Sequence, residues 1–152
     1  MGAQNAEFKT ILFPTDFSDV SEAAACYALS MARKYRAGIV AVHVVDVSEE
    51  AAGFYVPHMS FDSLDEEMTA GAGNMLKKFC SRVFKGFRSY ETRVVTGEPY
   101  KEILKAVKSE KADLVVMGSL GRGRLEKFIF GSTAERVMRQ VNCPVLVVPP
   151  SK

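Results

Sequence analysis

Short apolar runs alternate with longer amphipathic segments along the whole chain. Runs of strand type lie at residues 10–13, 39–45, 90–96, 113–117 and 145–148. Apolar positions with helical spacing occupy residues 18–36, about 60–84, 99–109 and 132–140. This alternation predicts an α/β fold, in which helices cover both faces of a parallel sheet. No linker or repeat divides the chain, so we expect residues 1–152 to form a single domain.

Two segments carry this prediction most clearly. The first predicted helix is marked by apolar residues at every fourth position: Ala23, Tyr27, Met31 and Tyr35. Gly38 is the expected stop after that helix. The run Ile39–Val45 is almost entirely β-branched or small, which is typical of a parallel strand buried on both faces. Residues 47–60 contain Gly53 and Pro57 and are predicted to form a long loop.

The composition is that of an ordinary globular domain. Hydrophobic residues make up 47% of the chain and charged residues 25%, which excludes disordered and collagen-like classes. Twenty Lys and Arg residues against eighteen Asp and Glu leave a net charge of only +2. Nucleic-acid binders usually carry a much stronger basic surface, so nucleic acid is not an expected partner.

The distribution of apolar and cysteine residues bears on the cellular setting. No run of 18 apolar residues exists, so no membrane span is expected. Residues 1–9 are polar and lack the apolar stretch of a secretory signal, so we expect a cytoplasmic protein. The three cysteines, Cys26, Cys80 and Cys143, are far apart and form no C-x-x-C pair. They are predicted to be buried thiols rather than disulfide or zinc ligands.

Two loops hold the candidate binding residues. In parallel α/β sheets, ligands bind at the carboxyl ends of the strands, where the strand order reverses. The loop after the first strand is Pro14–Ser18, and the loop after the fourth strand begins at Gly118. The second loop is rich in glycine, which permits positive φ and lets main-chain N–H groups approach a ligand closely. Its glycines and arginines are Gly118, Gly121, Arg122, Gly123 and Arg124.

A phosphate is the ligand that this second loop favours. Gly131, Ser132 and Thr133 open the next predicted helix, and the N-terminus of a helix attracts anions. Arg122 and Arg124 are positioned to add charge-assisted contacts. The alternative is a flexible loop followed by a capped helix, because Ser132–Glu135 fits the capping box S-x-x-E.

Two common phosphate motifs do not fit. The P-loop, G-x4-G-K-S/T, fails because Arg124 and Leu125 replace its lysine and hydroxyl residue. The dinucleotide fingerprint fails because Glu126 stands in place of its third glycine.

Asp16 and His43 each have a functional and a structural interpretation. Asp16 is placed to accept ribose hydroxyls or to help hold a cation, or else to form an Asx turn into the first helix. His43 lies in an apolar strand with no second ligand nearby. We therefore predict a hydrogen-bonded core residue rather than a metal ligand.

The glycine spacing belongs to a longer pattern. Gly118-x2-Gly121-x9-Gly131-Ser132 is accompanied by Ile11–Ser18, by His43–Asp46 and by Cys143–Val148. Together these segments resemble the universal stress protein family, whose ATP-binding pattern is G-x2-G-x9-G-S/T. The resemblance spans roughly residues 8–149.

The resemblance implies an open, Rossmann-like, five-stranded parallel sheet in the order 3-2-1-4-5. ATP would lie across the switch point between the first and fourth strands. Matched by position, the adenosine end would be lined by Pro14, Thr15, Asp16 and, through its backbone, Val44. The ribose and phosphates would follow Gly118, Gly121, Gly123 and Arg124, and then Gly131, Ser132 and Thr133.

The sequence favours an ATP-binding regulatory module over an enzyme. Nothing in it resembles a nucleophile–base pair, and the alternatives are a slow ATP hydrolase or a nucleotide-free dimeric interaction module. Mg²⁺ is expected with ATP, with Asp16 reaching it beside the phosphates, although no direct metal motif exists. Val145–Val148 is apolar and lacks charges that protect a sheet edge, so we expect a homodimer through this strand.

Overall fold

In the computed structural model, residues 4–46, 64–121 and 130–151 are described. The strands are β1 (Thr10–Pro14), β2 (Gly38–Val45), β3 (Tyr90–Thr96), β4 (Leu114–Gly118) and β5 (Val145–Val148). The helices are α1 (Asp19–Tyr35), α2 (Leu64–Val83), α3 (Pro99–Ser109) and α4 (Ser132–Gln140). The predicted strands and helices are thus confirmed. The predicted loop at 47–60 and the predicted start of α2 near residue 60 lie outside the described residues.

The strands form one parallel sheet in the order β3-β2-β1-β4-β5, as expected. The central strand β1 pairs with β2 on one side, Ile11 opposite Ile39, and with β4 on the other, Ile11 opposite Leu114. The chain therefore moves outward from β1 in one direction and then returns to build the other half. The order reverses between β1 and β4, which defines the switch point.

Both faces of the sheet are buried. Ile11 and Phe13 pack with α1 and α2 in one core cluster, whereas Leu12 packs with α3 and α4 in another. Side chains of a strand alternate between faces, so a strand covered on both faces needs apolar residues at every position. This explains why β1 and β2 are nearly continuous apolar runs.

Helix α1 packs close to the sheet through alanines. Ala24, Ala25, Ala28 and Ala32 are fully buried, whereas Tyr27 is 53% exposed. The every-fourth-residue series that includes Tyr27 therefore predicts the helix but does not mark its buried face. Small side chains let the helix approach β4, where a Cβ built on Gly118 would lie 2.8 Å from Cγ1 of Val20.

The three cysteines differ in burial. Cys80 is buried, and its burial raises the pKa of the thiol to about 12, so it stays protonated at neutral pH. Cys143 is half-buried, and burial followed by the charge of Asp113 raises its pKa. The prediction of a buried thiol is wrong for Cys26, which is exposed on the outer side of α1. No helix within the described residues is long and apolar enough to span a membrane.

Candidate functional site

A pocket of about 260 Å³ lies at the carboxyl ends of β1, β2 and β4, next to the switch point. The loops after these strands and the first turns of α3 and α4 complete its wall. Nine predicted residues line it: Pro14, Thr15, Asp16, Val44, Gly118, Gly121, Gly131, Ser132 and Thr133. The other three, Arg122, Gly123 and Arg124, lie outside the described residues.

Thr15 organises the loop between β1 and α1. Its N–H donates to the Val42 carbonyl at 2.9 Å, which extends the pairing of β1 with β2 by one residue. Its Oγ1 accepts from the Phe17 N–H at 3.1 Å and lies 2.5 Å from the Ser21 hydroxyl. Phe17 adopts a φ of 66°, a conformation that is costly for a bulky residue. These contacts fix the path of the loop that borders the pocket.

His43 supports the same loop from the core. It is 1% exposed, and its Nδ1 lies 2.7 Å from the Thr15 carbonyl oxygen. A carbonyl oxygen only accepts hydrogen bonds, so Nδ1 carries the proton. The imidazole also stacks on Phe17, with ring centroids 4.4 Å apart. The predicted hydrogen-bonded core histidine is confirmed.

Asp16 connects the two loops of the site. Its Oδ1 accepts the Ser18 N–H at 3.1 Å, which is the predicted Asx turn, and the Ser18 hydroxyl then caps α1 through Ser21 N–H. Its Oδ2 lies 3.0 Å from the position that a Cβ on Gly121 would occupy. The turn and a role in the pocket are therefore compatible, because each involves a different oxygen.

The described glycines of the second loop have structural roles that differ from the predicted one. None of Gly118, Gly121 and Gly131 has a positive φ, so the expectation of left-handed glycines is wrong for these three. Gly118 is needed for close packing, because a Cβ would press on Val20. Gly121 leaves room for the Asp16 carboxylate. Gly131 has extended backbone, φ −74° and ψ 162°, and a Cβ there would make only ordinary contacts from 3.5 Å.

The start of α4 corrects the capping-box interpretation. Gly131 is the N-cap, and the Glu135 N–H donates to its carbonyl at 3.0 Å. Ser132 is therefore the first helical residue rather than the cap. Gly131 N–H donates to the Ser119 carbonyl at 2.7 Å, which ties the helix start to the end of β4. The positive end of the nine-residue helix dipole thus lies in the pocket wall.

Asp46 and Ser119 are among the lining residues that were not sequence candidates. Each directly follows a strand that ends at the pocket, and that position was the available signal. With Asp16, Asp46 gives the described wall two carboxylates, and none of its described residues is Lys or Arg. A polyanion in this pocket therefore needs positive charge from the helix start, from residues outside the described part of the chain or from a bound cation.

An external contact holds α4 against α3 beside the pocket. The Arg136 guanidinium donates to Glu98 at 3.2 Å and lies 4.9 Å from the centre of the Tyr100 ring. Exposed ion pairs contribute little stability alone, but a stacked and paired arginine fixes relative position. This contact links α4 to the start of α3.

The sequence of the chain matches the model of a known protein family. The model of the universal stress protein family matches residues 7–149. The chain belongs to the universal stress protein family. Universal stress protein MJ0531 of Methanocaldococcus jannaschii is 37% identical over 145 residues, which cover 95% of this chain and 84% of that protein.

Solved structures of the universal stress protein family share this fold. The structure of MJ0577 from Methanocaldococcus jannaschii has a TM-score of 0.82 and 28% identity, covering 97% of this chain and 99% of that one. A universal stress protein solved in complex with cAMP has a TM-score of 0.72 and 24% identity, covering 96% of this chain and all of the other. The second similarity concerns the fold alone.

Proposed function

We propose that this universal stress protein binds ATP in the pocket at the switch point and acts as a regulatory module. One observation carries the proposal. Residues 14–16, Val44, Gly118, Gly121 and Gly131–Thr133 are separated along the sequence, yet the fold brings them into one pocket wall. Gly118, Gly121, Gly131 and Ser132 match the family's ATP-binding pattern, and the other positions are those that the resemblance to the family implies. The solved complex of a family member with cAMP shows that this fold accommodates an adenine nucleotide in that protein.

The β2 side of the pocket suits the adenine. Val44 lies two residues beyond Val42, which pairs with the last residue of β1. Val42, Ile103 and Met117 add apolar surface to the same wall. Apolar walls with a few polar groups are typical of small-molecule sites, and a flat base fits between such side chains. We assign the main chain of Val44 to the base edge.

The α4 side suits the phosphates. Ser132 and Thr133 form the first helical turn in the pocket wall, where helix N–H groups lack intrahelical acceptors. We assign these two residues to phosphate oxygens, as the family pattern implies. Arg122 and Arg124, outside the described residues, remain candidates for further charge contacts.

Magnesium fits the chemistry of this wall. Asp16 and Asp46 bring two negative charges to the pocket that would also hold a triphosphate. Mg²⁺ is usually bound by one or two carboxylates together with substrate phosphates. Asp16 would hold the cation, since its Oδ2 faces the second glycine of the loop. The cation would neutralise phosphate charge.

The described part of the pocket favours binding over hydrolysis. Among its lining residues, the side chains able to act as acid or base are Asp16, His43 and Asp46. His43 uses Nδ1 to support Thr15, and Asp16 uses Oδ1 for the turn into α1. Phosphoryl transfer needs a group that orients the attacking water. Two of the three candidates already have structural tasks, which leaves Asp46 to be considered for that role. We therefore propose binding without hydrolysis, with slow hydrolysis as the alternative.

The bound molecule itself tests this proposal. Protein purified under native conditions is denatured, and the supernatant is separated by ion exchange. ATP at a stoichiometric level is the expected result. ADP in its place would indicate hydrolysis and overturn the non-enzymatic part. A supernatant without nucleotide, from protein that also fails to bind added ATP, would overturn the proposal entirely.

We also propose a homodimer through β5. This strand pairs with β4 on one side, and it lies at an edge of the sheet. Val145, Leu146 and Val147 are half-buried in the single chain. Pairing with the same strand of a second copy would satisfy the free edge and cover these side chains in one two-fold contact. The cytoplasmic location stays a prediction from the sequence.

A further inference from the structure

Four polar side chains are buried among the described residues: Thr15, Ser21, His43 and Ser119. Three of them form one network, in which Ser21 and His43 both contact Thr15. The Ser119 hydroxyl is the exception. The residue is only 2% exposed, and its Oγ has no hydrogen-bond partner within the described structure.

The main chain of Ser119 is fully used by the fold. Its N–H donates to the Val148 carbonyl at 2.8 Å, at the end of β5. Its carbonyl accepts the Gly131 N–H at 2.7 Å, at the start of α4. Ser119 is thus fixed between two elements, and its hydroxyl is the only polar group left without a contact.

A stability role does not explain this hydroxyl. A buried hydroxyl without a partner loses its hydrogen bonds to water and gains none, so it destabilises the fold. Alanine would keep both main-chain bonds without that penalty. Such an orphaned group in a folded protein calls for another explanation, for example a missing ligand.

The position of Ser119 supplies that explanation. It lies two residues beyond Met117, and both residues line the pocket. Through its carbonyl it is bonded to the residue that begins α4, which places it at the α4 side of the pocket. The hydroxyl is shielded from water in the present arrangement, but rotation about χ1 gives Oγ two other staggered positions.

We propose that Ser119 is a ligand-binding residue whose hydroxyl donates a hydrogen bond to a phosphate oxygen of the bound nucleotide. This inference rests on the proposed ATP-binding function and extends it to a residue outside the glycine pattern. A hydroxyl bonded to an oxyanion makes a charge-assisted contact, which is stronger than a neutral one. The fold gives this donor no partner of its own, so the ligand gains the contact without breaking another.

The test separates stability from affinity with Ser119→Ala. The nucleotide-free variant is expected to melt at the same temperature as the wild type or higher. Its affinity for ATP, measured by calorimetry, is expected to fall about tenfold, which corresponds to about 1.4 kcal/mol. Its affinity for adenosine should be unchanged, because adenosine has no phosphate. Ser21→Ala is the matched control, since that hydroxyl has a partner and its loss should lower the melting temperature.

Several results would overturn the inference. Equal ATP affinity of the wild type and Ser119→Ala would show that the hydroxyl makes no contact with the bound nucleotide. A lower melting temperature with unchanged affinity would make the hydroxyl structural. An equal loss with adenosine would contradict the assignment to phosphate. A wild type that binds no ATP would overturn the proposed function as well, and this outcome is distinct from the others.

Discussion

The two ends of the sheet differ in what their polar groups bind. At the amino end, Oδ2 of Asp113 accepts the N–H groups of Lys9 and Thr10 at 2.8 and 2.9 Å. At the carboxyl end, Asp16 spends one oxygen on the turn into α1 and directs the other to Gly121. Both carboxylates lie beside β1. Asp113 binds main-chain N–H groups at the start of the strand, whereas Asp16 lies in a pocket wall at its end.

The difference follows from chain direction. Every helix of a parallel α/β fold begins near the carboxyl ends of the strands, so the positive dipole ends gather there. A hollow of about 320 Å³ also lies at the amino end, and Glu110, which pairs with Arg93, is part of its wall. Volume alone therefore does not distinguish the ends. The helix N-termini do, because the start of α4 lies in the wall at the carboxyl end and attracts an anion there.

The largest expected effect is at the start of α4. Gly131→Val is expected to weaken ATP binding by at least about a hundredfold, or about 2.7 kcal/mol, while the protein stays folded. A single Cβ fits here, but the two further methyl groups of valine need space close to Gly121 N and the pocket. Calorimetric titration of ATP measures the loss, and circular dichroism monitors the fold.

Gly131→Ala is the matched control for that experiment. Its Cβ would meet Ser119 O at 3.5 Å and Gly121 N at 3.6 Å, which are ordinary contacts. We expect it to retain most of the affinity. A folded Gly131→Val protein with wild-type affinity would place the phosphates elsewhere.

At the amino end the expected effect is on stability. Asp113→Ala removes the acceptor of two main-chain N–H groups, and hydrogen bonds to charged groups contribute about 1.5–3 kcal/mol each. Because the site is partly exposed, we expect a loss of about 2–3 kcal/mol in urea unfolding, with ATP affinity unchanged. Asp113→Asn should recover part of the loss through its amide oxygen. A marked loss of affinity in folded Asp113→Ala would contradict the separation of the two ends.

Removal of divalent cations should affect only the carboxyl end. ATP affinity in EDTA is expected to be about tenfold lower than in Mg²⁺, because the described wall carries two carboxylates. Thermal unfolding of the nucleotide-free protein should not change. Equal affinities in the two buffers would exclude a role for the cation.

A substitution at the β5 edge is expected to have the smallest effect on ATP affinity and on stability. Val147→Lys places like charges across the proposed two-fold axis and keeps the main-chain donor, so we expect a folded monomer. Light scattering at micromolar concentration measures the mass. Val147→Thr, which is similar in shape and uncharged, should remain dimeric. A Lys variant that stays fully dimeric would place the interface elsewhere.

The fold could be predicted because strands that are buried on both faces appear in the sequence as continuous apolar runs. β1 and β2 are such runs. Gly38 was the expected stop of α1, but it is the first residue of β2, and the helix is capped by Arg36, which has a left-handed backbone. The buried face of α1 was harder to predict, since its alanines give a weak signal beside the exposed Tyr27.

The site could be predicted only in part, for a physical reason. The glycine spacing named segments that the fold brings together in the pocket wall. The need for a glycine comes from tertiary contacts, such as that of Val20 with Gly118, which the spacing does not reveal. The capping box at Ser132 failed because Gly131 is tied to Ser119, twelve residues away. Ser119 and Asp46 have no distinctive spacing, and their importance arises from burial or from their place in the pocket wall.

A crystal structure of the protein grown with ATP and Mg²⁺ tests the central claim most directly. We expect the adenine beside Val44, the phosphates at the first turn of α4, and Asp16 near the ribose or the cation. Density for ATP at any other surface, with this pocket empty, would contradict the account.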